Sequence, residues 1–264
     1  MASEGVLGRI LEQKRQEVAA LQASPRPQPG PAPRPLRLRR GSGPLRLICE
    51  IKRRSPSAGD LDQSLSVVER AQRYAAGGAD MLSVLTDERF FGGAFSHIAE
   101  IRAANLEIPI LCKEFVIDEI QLDYARHVGA DAVLLIVRCL GERTSDLLGA
   151  ARARGLAALV EIVDEAELRI ALEAGAELVG VNSRDLDTLQ IDVARAARVL
   201  AALPSSVVAA QLSGLRTAED VAEVARSRAD AALIGETLMR RPDPSALLES
   251  MRAAAARSSS QLLD

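Results

Sequence analysis

Two oppositely charged residues, Glu50 and Lys52, stand at the end of an apolar run that predicts a short buried strand. Alternation along a strand puts them on one face, and Cys49 and Ile51 on the other. Charges at the end of an apolar strand are costly to bury unless something uses them. The pair could transfer protons or hold charge in a reaction, or it could be a purely structural ion pair.

The loop after this strand offers groups that suit an anion. Arg54, Ser55 and Ser57 supply a positive charge and two hydroxyl groups, and Pro56 stiffens the loop. Such donors make strong hydrogen bonds with carboxylate or phosphate oxygens. The stretch therefore predicts an enzyme site at the carboxyl end of a strand.

The rest of the chain supplies a repeating framework for this site. Eight apolar runs predict strands at 45–51, 81–85, 109–112, 132–137, 157–162, 178–181, 207–210 and 231–234. Amphipathic segments that predict helices separate them, at 65–76, 95–104, 117–127, 145–154, 165–173, 193–203, 218–228 and 244–255. Short junctions such as Gly78-Ala79-Asp80 and Gly129-Ala130-Asp131 precede several strands, where glycine suits a helix end and a tight turn.

Eight strand-and-helix units predict an α/β fold, a closed (β/α)8 TIM barrel, in residues 45–264. An open doubly wound sheet is the alternative, but no GxGxxG motif follows the first strand. Residues 1–44 form a separate N-terminal region, with a helix predicted at 8–22 and a Pro-rich arm at 24–35. The arm's charged residues are all arginine, which leaves three interpretations: a solvated linker, an arm beside an anionic substrate, or a nucleic-acid contact. The third is the weakest, because no aromatic residues interleave the arginines.

Composition excludes several classes of protein. The net charge of −3 over 264 residues argues against general affinity for nucleic acid or a membrane surface. Three cysteines without CxxC spacing, and no apolar leader, predict reduced thiols in a cytoplasmic protein. No apolar run is long enough to cross a bilayer.

Polar residues recur where the predicted strands end, which is where barrels of this type carry their chemistry. Beyond the first strand they are Lys113, Glu161, Asn182, Arg184, Ser213, Gly214, Gly235 and Glu236. Any one of them could be an ordinary surface residue, but so many strand ends together predict one polar rim. The last four lie in two short turns that lead into helices, whose free amides favour a phosphate. There Glu236 would contribute its amide and turn its carboxylate away.

Several segments, in this order along the chain, resemble the indole-3-glycerol-phosphate synthase family. They are 50–57, 83–87 with Phe91 and Gly93, 111–115, 159–161, 180–186 and 234–236. The resemblance implies the barrel of tryptophan biosynthesis, with an extra N-terminal helix over its mouth. It also implies a carboxy-lyase reaction. In it, 1-(2-carboxyphenylamino)-1-deoxyribulose 5-phosphate closes to indole-3-glycerol phosphate with loss of CO2 and water.

The resemblance also implies a role for each residue of the rim. Lys113 would be the general acid for the carbonyl, and Lys52 would hold the departing carboxylate and assist dehydration. Glu161 would stabilise the iminium charge or accept a proton. Glu50 would fix Lys52, and Asn182 would orient a sugar hydroxyl.

The aromatic ring of the substrate would pack against Phe91 and Phe115. Arg184 and the loop that carries Ser55 and Ser57 would bind the phosphate. No metal or organic cofactor is implied, and His97 and His127 fall on helices. The expected partner is a small phosphorylated substrate, without nucleic acid or membrane, and the protein is expected to be a monomer or a weak homodimer.

One departure from the family pattern leaves a second hypothesis open. The family usually has Glu-Ser-Gly after the seventh strand, whereas here Leu212 takes the place of the glutamate. Gln211 could substitute through a one-residue bulge. Smaller departures are Glu114 in place of aspartate and Val163 in place of a histidine. The alternative is thus a non-catalytic or repurposed homologue that binds a phosphorylated ligand or a partner enzyme.

Overall fold

The computed structural model describes residues 5–260 and shows a closed barrel of eight parallel strands. The strands are Arg46–Ile51, Met81–Leu85, Ile110–Lys113, Ala132–Ile136, Ala157–Ile162, Leu178–Asn182, Val208–Leu212 and Ala231–Ile234. Each pairs with the next along the chain, and the eighth pairs with the first. The predicted TIM barrel is confirmed.

Helices alternate with these strands and cover the barrel. The longer ones are Val6–Gln22, Val67–Ala76, Phe95–Ala103, Glu119–His127, Thr144–Ala153, Glu165–Glu173, Val193–Ala202, Ala218–Ala225 and Ser245–Ser260. Short helices after the second, fourth and eighth strands were not predicted: Glu88–Phe91, Val137–Leu140 with the 3-10 turn Gly141–Arg143, and Glu236–Met239. Arg54–Ser55 and Gly59–Asp60 form a small antiparallel pair in the first loop. Within the described range, no helix is both long and apolar enough to cross a membrane.

Three strands run further than the sequence predicts. Pairing continues to Lys113, which is in register with Leu85, and to Asn182, in register with Leu212. Polar end residues such as Lys113 and Asn182 do not look like strand positions, so the apolar pattern stops before them. Conversely, Val137 was predicted as strand but begins a short helix.

Two apolar clusters follow the alternation of the strands. Cys49 and Ile51 belong to the outer cluster, beneath the helices, whereas Ile48 belongs to the cluster inside the barrel. Glu50 therefore points inward, on the face opposite Cys49 and Ile51 as the alternation predicts. The barrel interior is filled, and an inward polar group near a strand end is directed toward the mouth.

The recurring Asp at the junction before a strand has a specific structural role. The Oδ2 atom of Asp80 accepts the amide of Leu47 at 2.9 Å, and Asp131 accepts that of Ile110 at 2.7 Å. Asp230 accepts the amide of Ala209 at 3.0 Å. Each carboxylate ties one strand to the start of the preceding strand, so the motif closes the N-terminal end of the barrel.

The Pro-rich arm and the residues that follow it, as far as Arg40, lie against this N-terminal end. The Arg34 guanidinium donates to the carbonyl of Ile108, and Arg40 donates to those of Ala225 and Ser227, each at a turn before a strand. Leu38 is 3% exposed and packs into the inner cluster. The interpretation of the arm as a neighbour of the substrate is wrong, because Arg34 and Arg40 pair with carbonyls at the opposite end from the polar rim.

Candidate active site

A cavity of about 440 Å³, here called the cup, opens at the carboxyl ends of the strands. Nearly all the predicted site residues line it: Glu50, Lys52, Ser55, Ser57, Phe91, Lys113, Phe115, Glu161, Asn182, Arg184, Ser213, Gly214, Gly235 and Glu236. Arg54 does not. Its side chain is half exposed, and its Nε atom pairs with Asp60 at 2.7 Å on the outer side of the loop. The sequence shows a charge in this loop but not the direction of its side chain.

Glu50 is the carboxylate that joins the two lysines of the cup. Its Oε1 atom lies 2.7 Å from Lys52 Nζ, and its Oε2 atom lies 3.5 Å from Lys113 Nζ. Burial alone would raise the pKa of Glu50, but the two ammonium groups outweigh it and lower that pKa below its ordinary value. Glu50 is therefore charged at neutral pH and holds both lysines in place.

Lys113 lies between two acids. Burial would lower its pKa, but the charges of Glu50 and Glu161 raise it above the ordinary lysine value. The distance from Lys113 Nζ to Glu161 Oε2 is 4.0 Å. The lysine is thus protonated at neutral pH and carries a proton that it can donate into the cup.

Glu161 is oriented through one oxygen and left free through the other. Its Oε1 atom accepts a hydrogen bond from Asn182 Nδ2 at 2.8 Å, while Oε2 is buried and has no hydrogen-bond partner among the described residues. The Asn182 amide is itself fixed, because its Oδ1 atom accepts the Ser213 hydroxyl and the Arg184 amide. An unpaired buried carboxylate oxygen is costly, so its presence indicates a group kept ready for a ligand.

The turns predicted to bind an anion follow the seventh and eighth strands. Ser213 and Gly214 both adopt positive φ, 59° and 86°, which turns the backbone sharply after the seventh strand. Gly235 approaches Glu50 so closely that a Cβ atom there would collide with Glu50 Oε1. The Glu236 carboxylate pairs with Arg240 Nη2 at 2.9 Å, and both residues line the cup.

The remaining wall of the cup is apolar. The rings of Phe91 and Phe115 lie with centroids 5.9 Å apart and planes inclined by 34°. Sequence reasoning did not identify the aliphatic side chains beside them: Val6, Leu7, Ile10, Leu134, Ile136, Leu186, Leu189, Ile191 and Leu233. Alternation along the fourth strand could have identified two of these. The three from the N-terminal helix place that helix over the mouth, as the resemblance implies.

A buried lysine that the sequence did not reveal holds the N-terminal helix in place. Lys14 is 2% exposed, and its Nζ atom lies 2.8 Å from Glu114 Oε1 and 3.0 Å from Asp87 Oδ2. Burial would lower its pKa, but Glu114 and Asp87 raise it overall. Glu114 also accepts the amide of Phe115 at 2.7 Å. A single lysine on an amphipathic helix looks like a solvated charge, so no signal marked it.

The departure after the seventh strand is resolved by the strand register. Gln211 pairs with Val181 and Leu212 with Asn182, in an unbroken ladder without a bulge. Leu212 is 1% exposed, lines the cup and packs within 2.6 Å of where a Cβ on Gly180 would lie. The suggestion that Gln211 replaces the glutamate is wrong, because its side chain faces away from the cup.

Three cysteines of the described residues, Cys49, Cys112 and Cys139, are free. No group of three or more His, Cys, Asp and Glu side chains between residues 5 and 260 is arranged to hold a metal ion. Cys49 and Cys112 are free and buried, and burial raises the pKa of both thiols.

Comparison with known proteins gives a consistent result. The family model described as "Indole-3-glycerol phosphate synthase" matches residues 7–251. The curated indole-3-glycerol phosphate synthase of Opitutus terrae is 44% identical over 82% of this chain and 83% of its own. That of Chloroherpeton thalassium is 41% identical over 88% of this chain and 94% of its own.

Solved structures show the same fold at low sequence identity. A 3-hexulose-6-phosphate synthase superposes with a TM-score of 0.64 and 17% identity, over 80% of this chain and all of its own. The tryptophan synthase α subunit of Legionella pneumophila gives a TM-score of 0.60 and 18% identity, over 80% of this chain and 92% of its own. At these identities the likeness supports the barrel and nothing more specific.

Proposed function

Because this chain belongs to the indole-3-glycerol-phosphate synthase family, we propose that it is a carboxy-lyase acting on 1-(2-carboxyphenylamino)-1-deoxyribulose 5-phosphate. The product is indole-3-glycerol phosphate, formed with loss of CO2 and water. The observation that carries the proposal is the placement of Lys113 between Glu50 and Glu161, at 3.5 and 4.0 Å, inside a cup that also holds Lys52.

The cup suits a substrate with an anionic end and an aromatic end. The amides of Gly214, Gly235 and Glu236, together with Arg184 and Ser55, form the side suited to phosphate. Phe91 and Phe115 belong to the apolar wall suited to the carboxyphenyl ring. A substrate held at both ends would present its ribulose carbonyl to the lysines in between.

Ring closure needs an acid beside the carbonyl. As the ring carbon that bears the carboxylate attacks this carbonyl, Lys113 donates its proton to the carbonyl oxygen. The new carbon–carbon bond leaves positive charge on the ring nitrogen, as an iminium. The unpaired Oε2 atom of Glu161 supplies the facing negative charge.

Aromatisation then requires two departures. Lys52 holds the carboxylate until CO2 leaves, and the electron pair of the broken bond neutralises the iminium. Lys52 then protonates the hydroxyl, which leaves as water, and Glu161 accepts the proton lost from the neighbouring CH2 carbon, which completes the indole. Glu50 holds Lys52 and Lys113 in place through these steps, and Asn182 orients a sugar hydroxyl.

The alternative of a non-catalytic homologue gains no support, since the proposed catalytic side chains line one cup. The test is to incubate the purified protein with the substrate and follow indole fluorescence, with Glu161→Gln as the matched variant. We expect product from the wild type and a rate lower by about a hundredfold or more in the variant. Absence of product at high enzyme concentration, with inorganic phosphate still bound, would establish the alternative instead.

A further inference from the structure

Arg138 lies next to the cup but does not line it. It follows the fourth strand, in the short helix Val137–Leu140, and its guanidinium faces carboxylates from two other loops. Its Nε atom lies 2.7 Å from Glu167 Oε1, and its Nη1 atom lies 2.9 Å from Asp185 Oδ2. Asp164 and Asp187 lie further off, at 3.5 and 3.6 Å. One cation thus joins the loops after the fourth, fifth and sixth strands.

The Asp185 contact fixes the loop that carries Arg184. The Oδ1 atom of Asp185 accepts the amides of Asp187 and Thr188, both at 2.9 Å, and its backbone amide donates to the carbonyl of Gln190 at 2.9 Å. The backbone carbonyl of Asp185 also accepts the amide of Leu189. Asp185 is therefore the residue around which this loop closes.

The closed loop in turn holds the Arg184 side chain. Arg184 Nη1 donates to the carbonyl of Leu189 at 3.3 Å, and Leu189 adopts a positive φ of 61° that a leucine rarely takes. Such a conformation persists only where its surroundings enforce it. The position of the Arg184 guanidinium thus depends on Leu189, and through the loop on the pairing of Asp185 with Arg138.

The Glu167 contact fixes the end of the fifth strand, which carries Glu161. Glu167 Oε2 accepts the amide of Val163 at 2.8 Å, two residues beyond Glu161. The same guanidinium therefore fixes the end of the fifth strand and the loop after the sixth. This is also the place where the family usually has a histidine and this chain has Val163.

We infer that Arg138 is a positioning residue for the reaction: by clasping Asp185 and Glu167 it sets the phosphate-binding Arg184 relative to Glu161. This inference rests on the proposed function. Arg138 touches no substrate, so its removal weakens phosphate binding by letting the Arg184 loop move. It leaves proton transfer by Lys113 largely intact.

A purely electrostatic role makes a different prediction for one variant. Arg138→Met removes a cation near an anionic ligand, which would weaken binding even without any movement. Asp185→Asn removes a negative charge instead, and its remaining oxygen can still accept the loop amides. If only charge mattered, this variant would bind phosphate more tightly. If the clasp positions Arg184, it binds phosphate less tightly.

The experiment measures inorganic phosphate binding by titration calorimetry, and KM and kcat with the substrate. We expect KM and the phosphate Kd to rise about tenfold in Arg138→Met and about threefold in Asp185→Asn, with kcat within about twofold. Arg154→Met is the matched control. Arg154 is also a partly buried arginine that pairs with two carboxylates, Asp123 at 2.6 Å and Glu119 at 3.1 Å, but it lies away from the cup. Its phosphate Kd stays unchanged.

Amide hydrogen exchange over residues 184–191 measures how firmly the loop is held. It should be faster in Arg138→Met and Asp185→Asn and unchanged in Arg154→Met. Wild-type phosphate affinity in Arg138→Met, or tighter binding in Asp185→Asn, would overturn the inference while leaving the proposed function intact. A wild-type protein that forms no indole would overturn the proposed function separately.

Discussion

The two ends of this barrel carry similar carboxylates, but those at the N-terminal end have all their hydrogen-bond partners and Glu161 at the carboxyl end does not. At the N-terminal end, Asp230 accepts the amides of Ala209 and Arg40 and pairs with Arg228 Nη1 at 3.0 Å. At the carboxyl end, Glu161 has one buried oxygen without a hydrogen-bond partner within residues 5–260 and its lysine neighbour at 4.0 Å. A carboxylate with all its hydrogen-bond partners contributes to stability, whereas one with a buried oxygen left unpaired is available for chemistry.

The comparison predicts that substitutions at the cup change turnover, whereas substitutions at the N-terminal end of the barrel change stability. Lys113→Ala should lower kcat about a thousandfold, because the general acid of ring closure is lost while both ends of the substrate stay held. Steady-state fluorescence assays measure this, and near-wild-type phosphate binding is the control. Unchanged turnover would remove Lys113 from the mechanism.

Asp230→Asn should have the opposite profile. The amide cannot accept all three donors and loses the ion pair with Arg228, so the free energy of unfolding should fall by about 2 kcal/mol. Urea denaturation measures the loss, and kcat at 25 °C should match the wild type. A large fall in kcat without destabilisation would show that the two ends are not separable.

Leu212→Glu tests whether the cup has been rebuilt around leucine. Leu212 is 1% exposed and closely packed over Gly180. A carboxylate there would be buried in apolar surroundings and would compete with the other acids for the lysines of the cup. We expect kcat/KM to fall about tenfold. Leu212→Met, which conserves volume, should retain the wild-type rate. A higher rate in Leu212→Glu would mean that the leucine is a true loss.

The smallest expected effect is a pH dependence at Glu50. Its pKa is lowered in the folded protein, so its charged form stabilises the fold above the ordinary carboxyl pKa. That contribution disappears as pH falls through the lowered value. The stability difference between wild type and Glu50→Gln, from urea denaturation, should be constant near neutrality and shrink in acid. A difference that grows in acid would contradict this charge assignment.

Much of the fold and the cup followed from local sequence patterns. The number of strands and helices was predictable because a buried strand is a short apolar run, and a helix with one buried face has apolar residues at helical spacing. Polar residues at strand ends gave the cup, because a closed barrel brings all those ends to one rim. Glu50 and Lys113 were therefore predictable from position alone.

What the sequence did not reveal depends on pairings between distant segments. Lys14 and Arg138 look like solvated charges, and only the folded chain brings carboxylates from other loops to them. Arg34 and Arg40 donate to backbone carbonyls of distant segments, which no charge pattern encodes. Arg54 shows the converse, a cation in the right loop whose side chain points outward.

Residues 5–44 contact both ends of the barrel, with a helix at the mouth and the arm across the N-terminal end. Arg40 reaches Asp230, 190 positions further along the chain. Contacts so distant in sequence can form only after the intervening chain has been made, and loop closure makes them slow. Arg40 leaves the ribosome long before the eighth strand, so it must wait for that strand and docks among the last.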